Sequence, residues 1–213
     1  VLSRATYMEL LLDSSKAMKH KAIEGFHPIE EFSEPTPDQA ERRELLFFGL
    51  IKAYKGLDVL LKAMPLILQE LPDTTLHIAG EVYGDESIYR KLIADLGIKT
   101  RVIADFSYVK AEAIPHLFHK AALCILPYKS ASQSGVIATA YQYGVPVLAS
   151  DVGGLGEYVV EGKTGYLVPP DDPVALANIV IKHLINKPDM TADIRNYIHN
   201  YSWEALAKLF TAL

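Results

Sequence analysis

The sequence predicts an α/β domain built on a doubly wound, Rossmann-like parallel sheet of about six strands. Six short apolar runs begin 20 to 30 residues apart, which is the spacing of strands that alternate with helices. The runs lack the polar alternation of half-exposed strands, so we expect helices on both faces of the sheet. Of the 213 residues, 50% are hydrophobic, enough for a core that needs no metal or disulfide.

The predicted strands and helices follow one another along the chain. The strands cover residues 45–48, 75–79, 101–105, 123–126, 145–149 and 165–168. Apolar side chains recur at i, i+3, i+4 and i+7 in two intervening segments, which predicts helices with a stripe facing the core. The two stripes are Leu57, Leu60, Leu61 and Met64, and then Leu176, Ile179, Val180 and His183.

The two ends of the chain differ from this pattern. Residues 1–39 are expected to be the remnant of an N-terminal domain, with a short strand and a helix, followed by an exposed linker. Prolines and acidic residues interrupt every periodicity at residues 30–38. The sheet domain is expected to span residues 40–200. Residues 201–213 add a last helix, from Ala205 to Leu213, with Ser202 as its N-cap.

Charge and cysteine content exclude several classes of protein. The formal net charge of −5 argues against a nucleic-acid partner, because nucleic-acid-binding surfaces are basic. Cys124 is the single cysteine and lies in an apolar run, so we expect a buried side chain, no disulfide and no cysteine zinc cluster. His116 and His119 could share one face of a helix, and we expect no metal there.

The sequence also bears on membranes and location. Residues 130–150 form an uncharged stretch, but their serine, glutamine, threonine, glycine and proline content is too polar for a membrane-spanning helix. The chain starts with neither an initiator methionine nor a secretory signal. We therefore expect a piece of a longer cytoplasmic protein.

The loop after the first predicted strand is a candidate anion site, since ligands bind at the carboxyl ends of strands in an open parallel sheet. Gly49 lets backbone approach a ligand closely, and Lys52 and Lys55 stand directly before a helix. Two ammonium groups beside a helix N-terminus would attract a diphosphate. The alternative is that both lysines are simply solvated.

The loop after the fourth predicted strand leads into a helix that we expect to begin at Gly135. Free backbone amides at its start, those of Ser134, Gly135 and Val136, would point at an anion. Ser132 and Gln133 offer hydrogen-bonding side chains just before them. Ser134 could also act as a plain N-cap, a role that is compatible with ligand binding.

Two glycine-rich segments look like nucleotide-binding motifs and fail on spacing. Residues 151–157 contain GGxG where a dinucleotide fingerprint needs GxGxxG. Residues 156–164 place five residues between the glycines where a P-loop has four, and they lead into a strand instead of a helix. We interpret the second segment as a turn.

The central region of the chain lacks acids: residues 113–150 contain no aspartate or glutamate. A two-carboxylate hydrolase needs an acid and a base or nucleophile beside the bond that it cleaves, so the loop after the fourth strand does not suit that class. Amides, hydroxyls and lysines can instead neutralise a phosphate leaving group. These loops therefore favour group transfer from a phosphate.

Seven segments form a family pattern when they are taken in order. They are 48–63 (FGLIKAYKGLDVLLKA), 76–81 (LHIAGE), 122–127 (ALCILP), 144–150 (GVPVLAS), 152–157 (VGGLGE), 162–170 (GKTGYLVPP) and 201–203 (YSW). Because of these segments, residues 45–213 resemble the C-terminal, nucleotide-binding half of a class of retaining glycosyltransferases. This class has the GT-B fold and is the group 1 or family 4 type.

The resemblance implies that residues 40–200 bind a nucleotide-diphosphate sugar without a metal or other cofactor. Lys55 and Lys52 would be the catalytic residues and, with the loop around Gly49, would contact the diphosphate. The amides of residues 134–136 would hold the phosphate next to the sugar. The sugar would be transferred with retained configuration, and the leaving phosphate would help to deprotonate the acceptor hydroxyl.

The resemblance also assigns the remaining candidate residues. Ser132 and Gln133 would lie at the sugar, Thr139 at the ribose, and Tyr108 and Val109 beside the base. The family's acceptor-binding N-terminal domain is missing from residues 1–213, so we expect this chain to bind a donor without completing transfer alone. Peripheral association with the inner face of a membrane is an option for the full-length protein.

The chain departs from the family pattern at three positions. The two glutamates that usually contact the transferred sugar and the ribose correspond here to Ala131 and Thr139. The arginine that usually follows the strand glycine is Leu50, and Lys52 could substitute for it. A branch of the family with Gln-Ser-Gly in this loop, as at residues 133–135, resembles the chain in these changes. The departures leave a non-catalytic nucleotide-sugar-binding module as the alternative function.

Two further alternatives are weaker. An epimerase of the GT-B fold needs acids at the sugar, which the carboxylate-free loop does not supply. The other is a structural Rossmann-like domain that binds no ligand.

Overall fold

Six parallel strands form one sheet in the computed structural model, which describes residues 8, 12, 26, 28–30 and 44–211. In chain order they are β1 (Glu44–Phe48), β2 (Thr75–Ala79), β3 (Val102–Asp105), β4 (Ala121–Leu126), β5 (Val147–Ser150) and β6 (Gly165–Val168). Their order across the sheet is β3-β2-β1-β4-β5-β6, and each neighbouring pair is parallel. The predicted doubly wound fold class is confirmed.

Four strands begin at residues other than the predicted ones. β1 begins one residue earlier, at Glu44, which pairs with Thr75 at the start of β2. The other three differ for local reasons. β3 begins at Val102 because Arg101 closes a 3-10 turn. β4 begins two residues earlier than predicted, at Ala121, which pairs with β1 across a register shift. β5 begins after Pro146, which has no N–H for the ladder; its carbonyl instead accepts a hydrogen bond from the Cys124 amide at 3.0 Å.

Seven helices of the described residues connect and cover the strands. They are α1 (Leu57–Glu70), α2 (Ser87–Asp95), α3 (Ile114–Lys120), α4 (Gly135–Gln142), α5 (Pro173–Asn186), α6 (Thr191–Asn200) and α7 (Trp203–Thr211). The stripe on α1 is fully buried, and the stripe on α5 is buried except for the half-buried Ile179. Both predicted stripes are therefore confirmed as core faces.

The helices form layers on the two sides of the sheet. The chain moves from β1 towards β3 and from β4 towards β6, so right-handed crossovers place α1 and α2 on one face and α4 on the other. α1 packs against α2 and α5, and α4 packs against α6. The core between these layers includes Cys124, which is fully buried as predicted.

The ends of the chain are only partly described. α7 begins at Trp203, two residues before the predicted start, and the Ser202 hydroxyl accepts a hydrogen bond from the Ala205 amide at 3.2 Å, as an N-cap would. The predicted end of this helix at residues 212–213, and most of the predicted remnant and linker at residues 1–39, lie outside the described residues. The predicted domain boundaries remain predictions.

A short part of the predicted linker lies against the C-terminal helices. The Ile29 amide donates a hydrogen bond to the Tyr201 carbonyl at 2.9 Å, and the Phe26 ring meets the Tyr201 ring edge-on at 5.0 Å. The Gln142 side chain at the end of α4 donates to the Glu30 carboxylate at 3.4 Å. Residues 28–30 therefore run beside α4. None of the helices in the described parts of the chain is long and apolar enough to cross a membrane.

Candidate functional site

The strand order creates a crevice at the carboxyl ends of β1 and β4. These two strands are neighbours, with Leu45 beside Leu123 and Leu46 beside Cys124. After β1 the chain turns towards β2, and after β4 it turns towards β5. The loops therefore diverge, and the gap between them is the place where open α/β sheets bind ligands.

The loops at this edge are locked together by close backbone contacts. We call residues 49–56 the β1 loop and residues 127–134 the β4 loop. A Cβ at Gly56 of the β1 loop would overlap the carbonyl oxygen of Pro127 in the β4 loop. On the other side of the β4 loop, a Cβ at Gly153, which follows β5, would overlap the carbonyl oxygen of Ala131. The Lys129 amide donates to the Tyr54 carbonyl at 2.7 Å. Glycine is required for these approaches, so the sequence itself fixes how the loops meet.

Three of the predicted diphosphate-binding residues converge in the crevice. A Cβ built on Gly49 would lie 3.5 Å from Cγ2 of Val136 and 3.8 Å from Nζ of Lys55. The β1 loop thus lies directly opposite the start of α4. The structure brings Gly49 and Lys55 of the β1 loop together with the first turn of α4, which lies about eighty residues further along the sequence. We call this group the cradle.

The two lysines of the β1 loop carry unneutralised positive charge. Among the described residues, no carboxylate lies within ion-pair distance of Lys52 or Lys55. Burial, and after it the neighbouring ammonium of Lys52, lower the pKa of Lys55. The Lys52 ammonium lies 5.2 Å from the centre of the Tyr83 ring. An anionic ligand would offset the repulsion between the Lys52 and Lys55 ammonium groups.

Acidic side chains around the cradle are held by other cations. Lys129 contacts Asp58 at 3.0 Å and Asp171 at 3.3 Å, and Lys62 contacts Asp58 at 3.2 Å. Burial acts to raise the pKa of Asp58, but hydrogen bonds from Lys129 and Lys62 outweigh it and keep this pKa below its ordinary value. The carboxylates of Asp58 and Asp171 therefore form ion pairs with other lysines and do not neutralise Lys55.

Tyr128 connects the two halves of the cradle, and sequence patterns did not single it out. Its side chain is 2% exposed. The Lys55 ammonium lies 5.4 Å from the centre of its ring, and its hydroxyl lies 3.2 Å from the Ser134 hydroxyl. Burial raises the pKa of this phenol, so it remains a neutral hydrogen-bonding group.

The start of α4 has the geometry predicted for it. The helix begins at Gly135, and the Ser134 hydroxyl accepts a hydrogen bond from the Val136 amide at 3.3 Å. Ser134 is therefore an N-cap, as one of the two compatible interpretations predicted. The Val136 amide is partly satisfied by this cap, which leaves the exposed Gly135 as the amide most accessible to an anion.

The other predicted sugar and ribose contacts lie around the cradle. Ser132 and Gln133 are exposed on the β4 loop. Thr139 lies one turn into α4, where its hydroxyl donates to the Gly135 carbonyl at 3.1 Å and keeps its capacity to accept. Ala131 is half-buried and offers no polar side chain. The structure supplies no charge at either position where the family pattern has glutamate.

The predicted base-proximal residues lie two strands away from the crevice, after β3. Tyr108 is 75% exposed, and Val109 packs partly against the core. The loop is braced by Asp105, which accepts hydrogen bonds from the amide and the hydroxyl of Ser107 at 3.1 and 2.6 Å. These residues share the carboxyl edge of the sheet with the cradle but do not touch it in the described contacts.

The remaining sequence features are structural. Residues 162–165 form a turn in which the Gly162 amide donates a hydrogen bond to the Gly165 carbonyl at 2.9 Å. The turn leads into β6, as predicted.

Cys124 is not a nucleophile, because burial raises the pKa of its thiol to about 12. Within the described residues, no three histidine, cysteine or acidic side chains are grouped as metal ligands. The absence of a cofactor remains a prediction.

A cavity of about 200 Å³ opens beside the cradle. It lies between residues 28–30, the face of α4 and the start of α7. Its lining consists of Pro28, Ile29, Glu30, Gly135, Ala138, Thr139, Gln142 and Trp203. The sequence pattern placed Glu30 in an exposed linker, so only the folded chain reveals that its carboxylate faces α4.

Comparison with known proteins identifies the family. Residues 42–186 match the family model described as glycosyl transferases group 1, and this range is most of the chain. The chain belongs to the group 1 glycosyl transferases. A relative within the family, the D-inositol 3-phosphate glycosyltransferase of Streptomyces scabiei, is 33% identical over 183 residues, which cover 78% of this chain and 41% of the relative. The chain spans less than half the length of such curated relatives.

Solved structures agree with this family at the level of the fold. Anabaena HepE in complex with UDP and glucose matches 99% of this chain and 62% of its own, with a TM-score of 0.80 and 19% identity. Sucrose-phosphate synthase from Thermosynechococcus elongatus matches 100% and 58%, with a TM-score of 0.79 and 24% identity. The group 1 chain thus has the Rossmann-like fold of the C-terminal domain of GT-B glycosyltransferases.

Proposed function

We propose that the chain is the donor-binding half of a retaining glycosyltransferase and binds a nucleoside-diphosphate sugar with its diphosphate in the cradle. One observation carries the proposal: Gly49, Lys55 and the first turn of α4 meet at the crevice between β1 and β4. The site offers an exposed amide and a half-buried ammonium group, and no carboxylate of the described residues pairs with that ammonium. These groups suit a phosphate-type anion such as the diphosphate of a sugar donor.

The cradle would act on the leaving group. The bond between the anomeric carbon of the sugar and the terminal phosphate oxygen breaks, and negative charge builds on that phosphate. Lys55, Lys52 and the Gly135 amide would stabilise this charge as it develops. The acceptor oxygen forms a new bond to the anomeric carbon on the same face, and its proton passes to the departing phosphate. No carboxylate from residues 113–150 is needed for this step.

Similar proteins support the nucleotide-sugar assignment. HepE has been solved with UDP and glucose, and the Streptomyces scabiei relative is named as a glycosyltransferase. We infer that this chain needs an acceptor-binding domain to complete transfer, because it spans only part of such relatives. The identity of the acceptor, a glycan or a glycolipid, and the cytoplasmic location are part of this proposal.

A calorimetric titration of the chain with UDP, and with ADP and GDP as alternatives, tests the assignment. The wild type should bind one of them, and Lys55→Ala should weaken binding at least ten-fold, since a hydrogen bond to a charged group is worth about 1.5–3 kcal/mol. Lys182→Ala is the control, because Lys182 is exposed on α5 away from the crevice. Equal affinity of wild type and Lys55→Ala would contradict the cradle.

A non-catalytic nucleotide-sugar-binding module is the second candidate. It is favoured by Ala131 and Thr139, which place no carboxylate beside the sugar or the ribose. The full-length protein distinguishes the two: a transferase with a bound acceptor releases nucleoside diphosphate from its donor, whereas a binding module holds the donor intact. Donor that stays intact with every acceptor tested would favour the module.

A further inference from the structure

The cavity between residues 28–30 and α4 adjoins the cradle at one residue. Gly135, the first residue of α4, belongs to both. The cavity also touches Ala138, Thr139 and Gln142 on one face of α4, and the largely exposed Trp203 is part of its lining. A group attached to a phosphate at Gly135 would therefore lie next to this cavity.

The lining of the cavity selects the chemistry of its occupant. It contains one carboxylate, one amide and one hydroxyl, from Glu30, Gln142 and Thr139, together with aliphatic side chains and the indole of Trp203. No lysine or arginine lines it, so a second phosphate is disfavoured. The cavity has a volume of about 200 Å³, which is the space of roughly seven water molecules at about 30 Å³ each. One small ring with hydroxyl groups fits a space of that size. Aliphatic walls, an aromatic face and a few polar acceptors are what a sugar ring needs.

Glu30 is the acidic residue of this lining. Its carboxylate accepts from Gln142 Nε2 at 3.4 Å, a long hydrogen bond that leaves most of its acceptor capacity unused. α4 itself cannot supply an acid, because residues 113–150 contain none. A carboxylate is the side chain that accepts most strongly from two neighbouring hydroxyls.

We propose that this cavity receives a sugar ring joined to the diphosphate in the cradle, and that Glu30 accepts hydrogen bonds from the hydroxyls of that ring. The inference rests on the proposed function, since the diphosphate brings the ring to the cavity. The ring is either the ribose of the nucleotide or the transferred sugar. In both cases Glu30 supplies a negative charge beside α4, where Thr139 offers only a neutral hydroxyl.

Titrations of the 213-residue chain with UDP, UDP-glucose and inorganic pyrophosphate test the proposal. Glu30→Gln keeps the size of the side chain and removes its charge, and it should weaken binding of a sugar-bearing ligand about five- to twenty-fold. Pyrophosphate, which has no ring, should bind wild type and variant alike. Glu204→Gln is the control, because it removes the same charge from an exposed residue next to Trp203 and should not weaken any ligand.

Trp203 gives a direct readout, since it is the single tryptophan of the chain and lines the cavity. Its fluorescence should change with UDP or UDP-glucose and stay constant with pyrophosphate. Weaker UDP binding by Glu30→Gln identifies the ring as ribose, and weaker binding of UDP-glucose alone identifies it as the transferred sugar.

Two results would overturn the inference while leaving the proposed function intact. One is equal affinity of wild type and Glu30→Gln for both nucleotides, with Lys55→Ala still impaired. The other is a loss of pyrophosphate binding as large as the loss of UDP binding, which would make Glu30 a support of the cradle. A wild type that binds neither pyrophosphate nor any of UDP, ADP and GDP would remove the proposed function as well.

Discussion

Tyr128 shows how a single buried side chain can join two loops at a candidate ligand site. Its ring lies beneath the Lys55 ammonium, and its hydroxyl meets the Ser134 cap. Lys55 has no carboxylate to hold it among the described contacts, so the aromatic face is what restricts its position. We therefore expect Tyr128 to be a positioning residue for both halves of the cradle.

Substitutions of Tyr128 should separate the effects of its hydroxyl and its ring. Tyr128→Phe removes the contact with Ser134, worth about 1 kcal/mol, and should weaken UDP binding about five-fold. Tyr128→Leu also removes the ring under Lys55 and should weaken binding by more than ten-fold. Titration calorimetry measures both, with a thermal melt to check that each variant is folded.

A double-substitution cycle identifies the route by which the ring acts. If Tyr128 positions Lys55, then Lys55→Ala should cost less affinity in the Tyr128→Leu background than in the wild type. A Lys55→Ala effect of the same size in both backgrounds would show that the ring supports the fold without orienting the ammonium.

At the scale of secondary-structure elements, α5 is fastened to the sheet by a buried histidine. His183 is 4% exposed. Its Nε2 lies 3.2 Å from the Ala122 carbonyl in β4, and its Nδ1 lies 3.2 Å from the Tyr166 hydroxyl in β6. A carbonyl can only accept, so Nε2 carries the proton and Nδ1 accepts from Tyr166. The neutral imidazole of His183 therefore forms a hydrogen bond with both the Ala122 carbonyl and the Tyr166 hydroxyl.

Protonation of His183 should make the domain less stable in acid. Burial lowers its pKa below the ordinary value of 6.5. Above pH 6.5 the ring is neutral in the folded and unfolded chains alike, and its contribution to stability is complete. As the pH falls below 6.5, the unfolded chain binds a proton that the folded chain resists. The free energy of unfolding should then decrease, by at most about 1.4 kcal/mol per pH unit for this one group.

Urea unfolding between pH 8 and pH 5 measures this effect. His183→Gln keeps a donor for the Ala122 carbonyl and removes the titration, so its stability should fall less steeply with pH than that of the wild type. His116→Gln, at an exposed position of α3, controls for the loss of a histidine. A pH dependence that is identical in wild type and His183→Gln would contradict the account of this contact.

The same elements show what a sequence can and cannot predict. Apolar runs and helical stripes predict the strands and α1, because burial imposes their periodicity. Gly135 and Ser134 predict the start of α4, because capping is local chemistry. The contacts of Tyr128 and Glu30 depend on strand order and on how a linker folds back, and neither periodicity nor spacing determines these. Sequence reasoning therefore locates the loops of the site and misses the side chains that join them.

At the scale of the whole molecule, the strand order is the source of the site. β1 and β4 are neighbours in the sheet although 77 residues separate their starts, Glu44 and Ala121. Their loops diverge above the sheet and leave the cradle facing the crevice, with the cavity of residues 28–30 beside it. A group 1 glycosyl transferase chain that spans less than half the length of the curated relatives it matches thus brings together the groups that we propose bind a diphosphate and one sugar ring.

A crystal structure of the chain with UDP tests the central claim most directly. The account predicts diphosphate oxygens within about 3.2 Å of Nζ of Lys55 and of the Gly135 amide nitrogen, between the β1 loop and the start of α4. A nucleotide bound elsewhere on the sheet edge, with Lys55 turned towards solvent, would contradict it.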